Sequence, residues 1–174
     1  MTDQTLYQTP FVSLIDRDGY IFLHESRSNG QIISVLPFRQ QQGKREYLAR
    51  VEICPAHGME PERCSITGGV EAGENERQCA VNELNEEAGY IVSESDLIAL
   101  GLIRPSKSSD TTAFLFAVDV THLTAGDAPG DGTAWEHNAS TEWLTLGDAL
   151  TVQDPLFVTA VARLAGLLTT KDTP

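Results

Sequence analysis

Long apolar runs are missing from this 174-residue chain, and no stretch approaches the roughly 18 consecutive apolar residues that a membrane-spanning helix needs. Its opening residues, MTDQTLYQTP, hold neither a basic cap nor an apolar segment, so no export signal is read there and the expected address is cytoplasmic. Cysteine is scarce. Cys54, Cys64 and Cys79 cannot all pair within one chain, and reduced thiols are the default in such a compartment. Basic residues are few as well: 12 Lys and Arg face 25 Asp and Glu, a formal charge of −13. That balance argues against nucleic acid as a partner, because backbone binding is driven by basic side chains. Any phosphate-bearing ligand would need a bridging cation. Internal repeats and low-complexity segments are absent too.

With 41% hydrophobic and 21% charged residues, the composition suits one compact domain covering residues 1–174. FVSLID and YIFLHES read as a hairpin joined by Arg17-Asp18-Gly19, since Asp-Gly tolerates the positive backbone angles of a tight turn. QIISVLPF and EYLARVEI form a second strand pair, with RQQQGKR as an exposed connection and residues 53–63 as a loop. DLIALGLIRP, TTAFLFAVDV and STEWLTL are further strand candidates, and 121–139 reads as a long surface loop. Asp154-Pro155 starts a helix whose Phe157, Val161, Leu164 and Leu168 line up as an apolar stripe.

The most informative segment is CSITGGVEAGENERQCAVNELNEEAGY, residues 64–90. Asn75 with Gln78 three positions on is a capping-box variant, and Gly89 supplies a left-handed terminus, so a helix is expected over 76–88. Ala80, Leu84 and Ala88 repeat at the spacing of a core-facing stripe, while Glu83, Glu86 and Glu87 share a neighbouring face. Three carboxylates at that spacing repel unless a cation joins them.

This segment resembles the signature of the Nudix hydrolases, GX5EX7REUXEEXGU with U a bulky aliphatic residue, through Gly68, Glu74, Glu83, Leu84, Glu86, Glu87 and Gly89. Three positions depart from it: Asn82 stands for the arginine, Tyr90 for the last aliphatic residue, and Thr67 for the proline often found before the glycines. In the family the arginine pairs with the first glutamate, and the Asn82 amide retains a donor for that contact.

The resemblance implies an α/β fold, a Nudix-type α/β/α sandwich with mixed sheets and an N-terminal β-hairpin, in which residues 1–30 are the extension and 31–174 the catalytic core. It implies Mg²⁺ or Mn²⁺ held by Glu83, Glu87 and the Gly68 carbonyl, with Glu86 a further ligand or the proton acceptor for attacking water. Glu136, in the loop before the last strand, is the other candidate base. Glu74 and Glu71 could orient the loop or reach a second metal through water.

Pro105, fifteen residues beyond Tyr90, and the N-terminal hairpin resemble ADP-ribose pyrophosphatases and nucleotide-sugar hydrolases. A small nucleotide is thus the expected partner, and the hairpin allows a homodimer. Arg50 is the first candidate for phosphate contact, followed by Arg39, with Glu52 and Arg104 lining the pocket. A house-cleaning nucleoside triphosphatase and a silent nucleotide-binding domain are the alternatives. Cys54-x-x-His57 with Cys64 has a zinc-like spacing that lacks a fourth ligand unless His24 or His137 folds over, so no zinc is expected. Cys79 reads as a small buried residue, and Trp135 or Trp143 as a base-stacking candidate.

Overall fold

The computed structural model describes residues 1–130 and 138–171, with the side chains of 170 and 171 left aside. Ten strands and three helices follow one another: β1 (Asp3–Gln8), β2 (Val12–Arg17), β3 (Tyr20–Glu25), β4 (Gln31–Gln41), β5 (Lys44–Ile53), β6 (Pro61–Cys64), β7 (Ile66–Gly69), α1 (Glu76–Ala88), β8 (Ile98–Ile103), β9 (Thr112–Asp119), β10 (Ser140–Leu144), α2 (Leu146–Ala149) and α3 (Pro155–Lys171).

The second sheet is mixed. β4 lies parallel to β9 from Gln31 opposite Thr112 to Phe38 opposite Asp119, while β8 and β5 run antiparallel to their neighbours and β10 closes the far edge. Beyond the β4–β5 turn the two strands splay. The chain returns into the gap, with β6 pairing the far half of β5 and β7 pairing the first half of β4. That insertion carries Gly68 and Gly69 to the centre of the sheet.

Both faces of this sheet are covered, which is why its central strands read as near-continuous apolar runs. Ile33 and Val35 of β4, with Phe116 and Val118 of β9, meet Ala80, Leu84 and Ala88 of α1. On the opposite face Leu36 and Phe38, with Ala113, Leu115 and Ala117, meet Phe157, Val161 and Leu164 of α3. The period-2 alternation of the strands therefore feeds two cores. The result is the expected α/β/α sandwich.

Several sequence expectations hold closely. The helix over 76–88 and its Gly89 terminus (φ 70°) are present, and the Asp18-Gly19 turn has both residues at positive φ (50° and 89°). The cap differs in one respect: Asn75 accepts from the Arg77 and Gln78 amides, but the Gln78 side chain turns to Asn82 instead of closing the box.

Other expectations need correction. RQQQGKR is mostly strand, because a two-residue turn at Gln42-Gly43 (φ 52° and 76°) lets β4 and β5 continue almost to the tip. Residues 61–64 form β6 and are not loop, since the partner edge of β5 is available to them. The N-terminal hairpin is a three-stranded sheet, because polar, weakly patterned β1 adds to the edge of β2. The short α2 also escaped notice; Thr145 caps it by accepting from the Asp148 amide.

Phe157 is fully buried between α3 and the sheet. Truncating it to alanine should cost about 3–5 kcal/mol of stability, as large aromatic deletions in closed cores do. Guanidinium denaturation would measure this, and an unchanged midpoint would contradict the packing described.

Candidate active site

α1 exposes its acidic face beside the glycine pair of β7. A Cβ placed on Gly68 would overlap the Glu83 carboxylate, so the absence of a side chain there is what lets Glu83 lie against the main chain. Glycine at 68 is thus a steric requirement of the helix position.

Glu87 is held from below. Arg50 of β5 is only 4% exposed; its Nη1 donates to the Glu87 carbonyl at 2.8 Å, and its Nε lies 3.6 Å from the Glu87 carboxylate. The same Nε donates to Glu52 at 3.0 Å. A helix leaves its last carbonyls unsatisfied and carries partial negative charge at that end. The last turn of α1 contains no basic residue, and Arg50 supplies the missing cation from the sheet. Burying a guanidinium is tolerated because carboxylates and a carbonyl surround it.

At the other end of the acidic face, Asn82 performs the contact expected of the signature arginine. Its Nδ2 donates to Glu74 at 2.9 Å, while its Oδ1 accepts from Gln78 Nε2 at 2.9 Å. The Gln78 amide thereby orients the Asn82 amide toward Glu74. Glu74 also accepts weakly from the Glu71 amide at 3.4 Å, closing the turn ahead of the helix. Cys79 is buried beside this group and contacts the Gly69 carbonyl at 3.6 Å. Burial, with Glu74 and Glu83 nearby, pushes its thiol up to about 12, so it stays neutral and serves as a small apolar residue.

Glu86 is half-buried on α1, and its carbonyl accepts from the Gly130 amide at 2.9 Å. Gly126 donates to the Gly89 carbonyl at 2.8 Å, and a Cβ on Gly89 would run into the Gly126 main chain. The long loop is therefore pinned to the C-terminal end of α1 just before residues 131–137. Glu136, the second candidate base, lies outside the described residues, as do Trp135 and His137.

The remaining candidates go elsewhere. Arg39 pairs with Glu46 at 2.7 Å and stacks on the Trp143 ring at 4.1 Å, which also occupies that tryptophan. Arg104 and Pro105 are exposed in the β8–β9 connection. That connection docks on the N-terminal sheet through Ser108 to Leu23, Lys107 to Tyr20, and Asp110 to His24.

One arginine escaped the sequence reading. Arg27, on the turn before β4, has Nε and Nη2 each 3.8 Å from where a Gly69 Cβ would stand. Its neighbour Ser28 packs on Gly69 and has a buried hydroxyl without a hydrogen-bond partner. Nothing local marks Arg27 as special; only the β4–β7 pairing brings it to the glycines.

The donor set fits a hard divalent cation. Glu83 and Glu87 offer carboxylate oxygens, and the Glu83 carboxylate lies against the Gly68 main chain with no Cβ between them, the oxygen-only chemistry that Mg²⁺ and Mn²⁺ prefer.

A family model described as NUDIX domain matches residues 29–162, and the chain belongs to that family of pyrophosphohydrolases. Among solved structures the fold is similar to that of an ADP compounds hydrolase, with a TM-score of 0.73 at 15% identity over 99% of this chain and 94% of the other. It is also similar to a C. elegans Ap4A hydrolase, with a TM-score of 0.54 at 17% identity over 80% of this chain and 98% of the other. No curated protein matches the chain by sequence.

Replacing Asn82 by alanine removes the support of Glu74 at an exposed position. Mn²⁺ affinity should fall about two- to tenfold, the worth of one hydrogen bond, with the unfolding midpoint nearly unchanged. Calorimetric titration measures this, and equal affinity in both proteins would show that Glu74 needs no such partner.

Proposed function

We propose that this protein hydrolyses the diphosphate linkage of a nucleoside diphosphate joined to a second group, with ADP-ribose or a nucleotide sugar as the favoured substrate. The observation that carries the reading is the seating of α1: Glu83 lies against the Gly68 backbone while Arg50 anchors Glu87. In this reading residues 31–174 are the catalytic core and 1–30 its extension.

Glu83, Glu87 and the Gly68 carbonyl would hold Mg²⁺ or Mn²⁺. The bound ion would neutralise charge on the diphosphate and make attacking water more acidic. Without it, a dianionic linkage would meet only repulsion from the acidic face. Glu86 would accept the proton of the attacking water, with Glu136 as the alternative acceptor. Arg50 and Glu52 act as positioning residues for Glu87. Arg27 takes the phosphate contact, since its guanidinium hangs over the glycine pair and suits bidentate phosphate binding. Arg39 keeps its structural partner Glu46 in this scheme, and Arg104 and Pro105 stay exposed in the β8–β9 connection.

One feature favours an ADP-linked substrate and a second favours turnover. The similarity to the ADP compounds hydrolase extends over nearly the whole chain, the N-terminal sheet included, whereas the Ap4A hydrolase covers a smaller share. The Asn82–Glu74 hydrogen bond supports catalysis over silent nucleotide binding, because the contact attributed to the signature arginine is still made.

The test is a panel of ADP-ribose, nucleotide sugars, dinucleoside polyphosphates and nucleoside triphosphates, each with and without Mg²⁺. Turnover of ADP-ribose or a nucleotide sugar is expected only with the metal. Glu83→Gln should lower kcat at least about a hundredfold, near 2.7 kcal/mol of barrier, with an unchanged circular dichroism spectrum. Preference for triphosphates would move the assignment to the house-cleaning class, and thermal stabilisation without turnover would leave a binding domain.

We also infer that two copies associate through the N-terminal sheet. β1 is exposed along its whole length, and Tyr7, Phe11, Tyr20 and Ile21 are each more than half exposed on this small sheet. An apolar surface of that kind on a three-stranded sheet marks a contact face. Light scattering after gel filtration should give twice the 18.9 kDa chain mass, and Tyr7→Asp should shift the population to monomer. A monomer at all micromolar concentrations would remove the inference.

A further inference from the structure

Outside the acidic face, the β5–β6 connection assembles a second and chemically different cluster. Just after β5 the chain turns back on itself, with the His57 and Gly58 amides donating to the Cys54 carbonyl at 2.9 and 3.1 Å. That turn folds the imidazole over the Cys54 side chain. β6 then runs back along β5 and sets Glu62 opposite Glu52, and Glu62 Oε1 comes to 2.6 Å from His57 Nδ1. The ligand atoms of Cys54, His57 and Glu62 all lie within 4.8 Å of one another, at the mouth of a cleft of about 650 Å³. The expected zinc-like spacing paired Cys54 and His57 with Cys64. Cys64 instead turns to the Glu52 carboxylate at 3.5 Å, and Glu62 takes the third place.

We propose that Cys54, His57 and Glu62 form a site for a thiophilic divalent cation of the zinc class, separate from the acidic face of α1. The donor set is one sulfur, one imidazole nitrogen and one carboxylate oxygen, which suits zinc and is poor for magnesium. Zinc bond lengths put tetrahedral ligands about 3.3–3.7 Å apart, so the wider separations in the 4.8 Å cluster draw in while the 2.6 Å His57–Glu62 hydrogen bond opens as it is exchanged for two metal bonds. Cys54 gives up its thiol proton to solvent, Nδ1 donates its lone pair to the ion, and the ring proton resides on Nε2 of the exposed imidazole. The fourth position faces the cleft and is open to water.

The site ties the start of the connection to β6. Glu52, next along β5, accepts from Arg50, and Arg50 holds Glu87. A cation here therefore clamps the strand pair that positions the catalytic helix, and its binding stands whether or not the diphosphate reading above is right.

The test uses the full chain after chelator treatment, titrated with ZnCl₂ alone by calorimetry and with CoCl₂ by absorption, in wild type and in Glu83→Gln, which weakens the acidic site. One equivalent of zinc should bind in both, raise Tm in both, and give a sulfur-to-cobalt charge-transfer band with CoCl₂. Cys54→Ser should abolish that band, His57→Gln should weaken zinc binding at least tenfold while keeping a band, and Cys64→Ser should retain both. A band that survives in Cys54→Ser, that is lost in Cys64→Ser instead, or that never forms would overturn the proposal. Metal-free circular dichroism of His57→Gln and Cys54→Ser keeps loss of fold apart from loss of a ligand.

Discussion

The close seating of an acidic helix on bare backbone is the constraint from which the rest of this structure follows. Three glutamates on one face of α1 repel each other, and the face is tolerable only if its charge is answered. One answer is built into the protein. Arg50 meets the helix from the sheet side, where it pairs with Glu87 and satisfies an end carbonyl. Gly68, having no side chain, lets the Glu83 carboxylate settle against the main chain on the other side of the face. Each depends on β6 and β7 entering between the splayed β4 and β5, because that insertion sets the depth of the glycines relative to the helix.

The departure at Asn82 shows how a charge-assisted contact can be replaced by a shorter neutral one. An arginine reaches its glutamate with a long flexible arm, whereas Asn82 needs Glu74 within 2.9 Å and needs its amide turned the right way. Gln78, one helical turn earlier, provides that orientation at i to i+4 spacing. The Asn75 cap explains the arrangement: by satisfying the first amides alone, it frees the Gln78 side chain for Asn82. Cap, relay and loop turn thus form one connected network at the front of the helix.

Legibility from sequence followed the range of the interactions. The helix at 76–88, its Asn75 and Gly89 ends, the Asp18-Gly19 turn and the two apolar stripes rest on contacts within a few residues, and they could be read directly. β1 and β6 could not, because each is a polar segment made into a strand only by an available edge elsewhere. The same limit applied to side chains. The sequence points to Arg50 as a phosphate contact, yet its engagement with Glu87 depends on the packing of α1 on β5. Arg39 looked equivalent on paper and is occupied by Glu46 and Trp143. Arg27 and Glu62 gave no local signal at all.

By itself the sequence determined the local chemistry: an oxygen-rich acidic helix framed by glycines, in a chain of net charge −13. Those properties reside in residue types and short spacings, and they persist however the remainder of the chain is arranged. Tertiary structure alone decided which groups meet that helix, since long-range strand pairing is set by burial of two opposed cores and by no local code. It gave Arg50 to Glu87, brought Arg27 to Gly69, and gathered Cys54, His57 and Glu62 beside the β5–β6 pair.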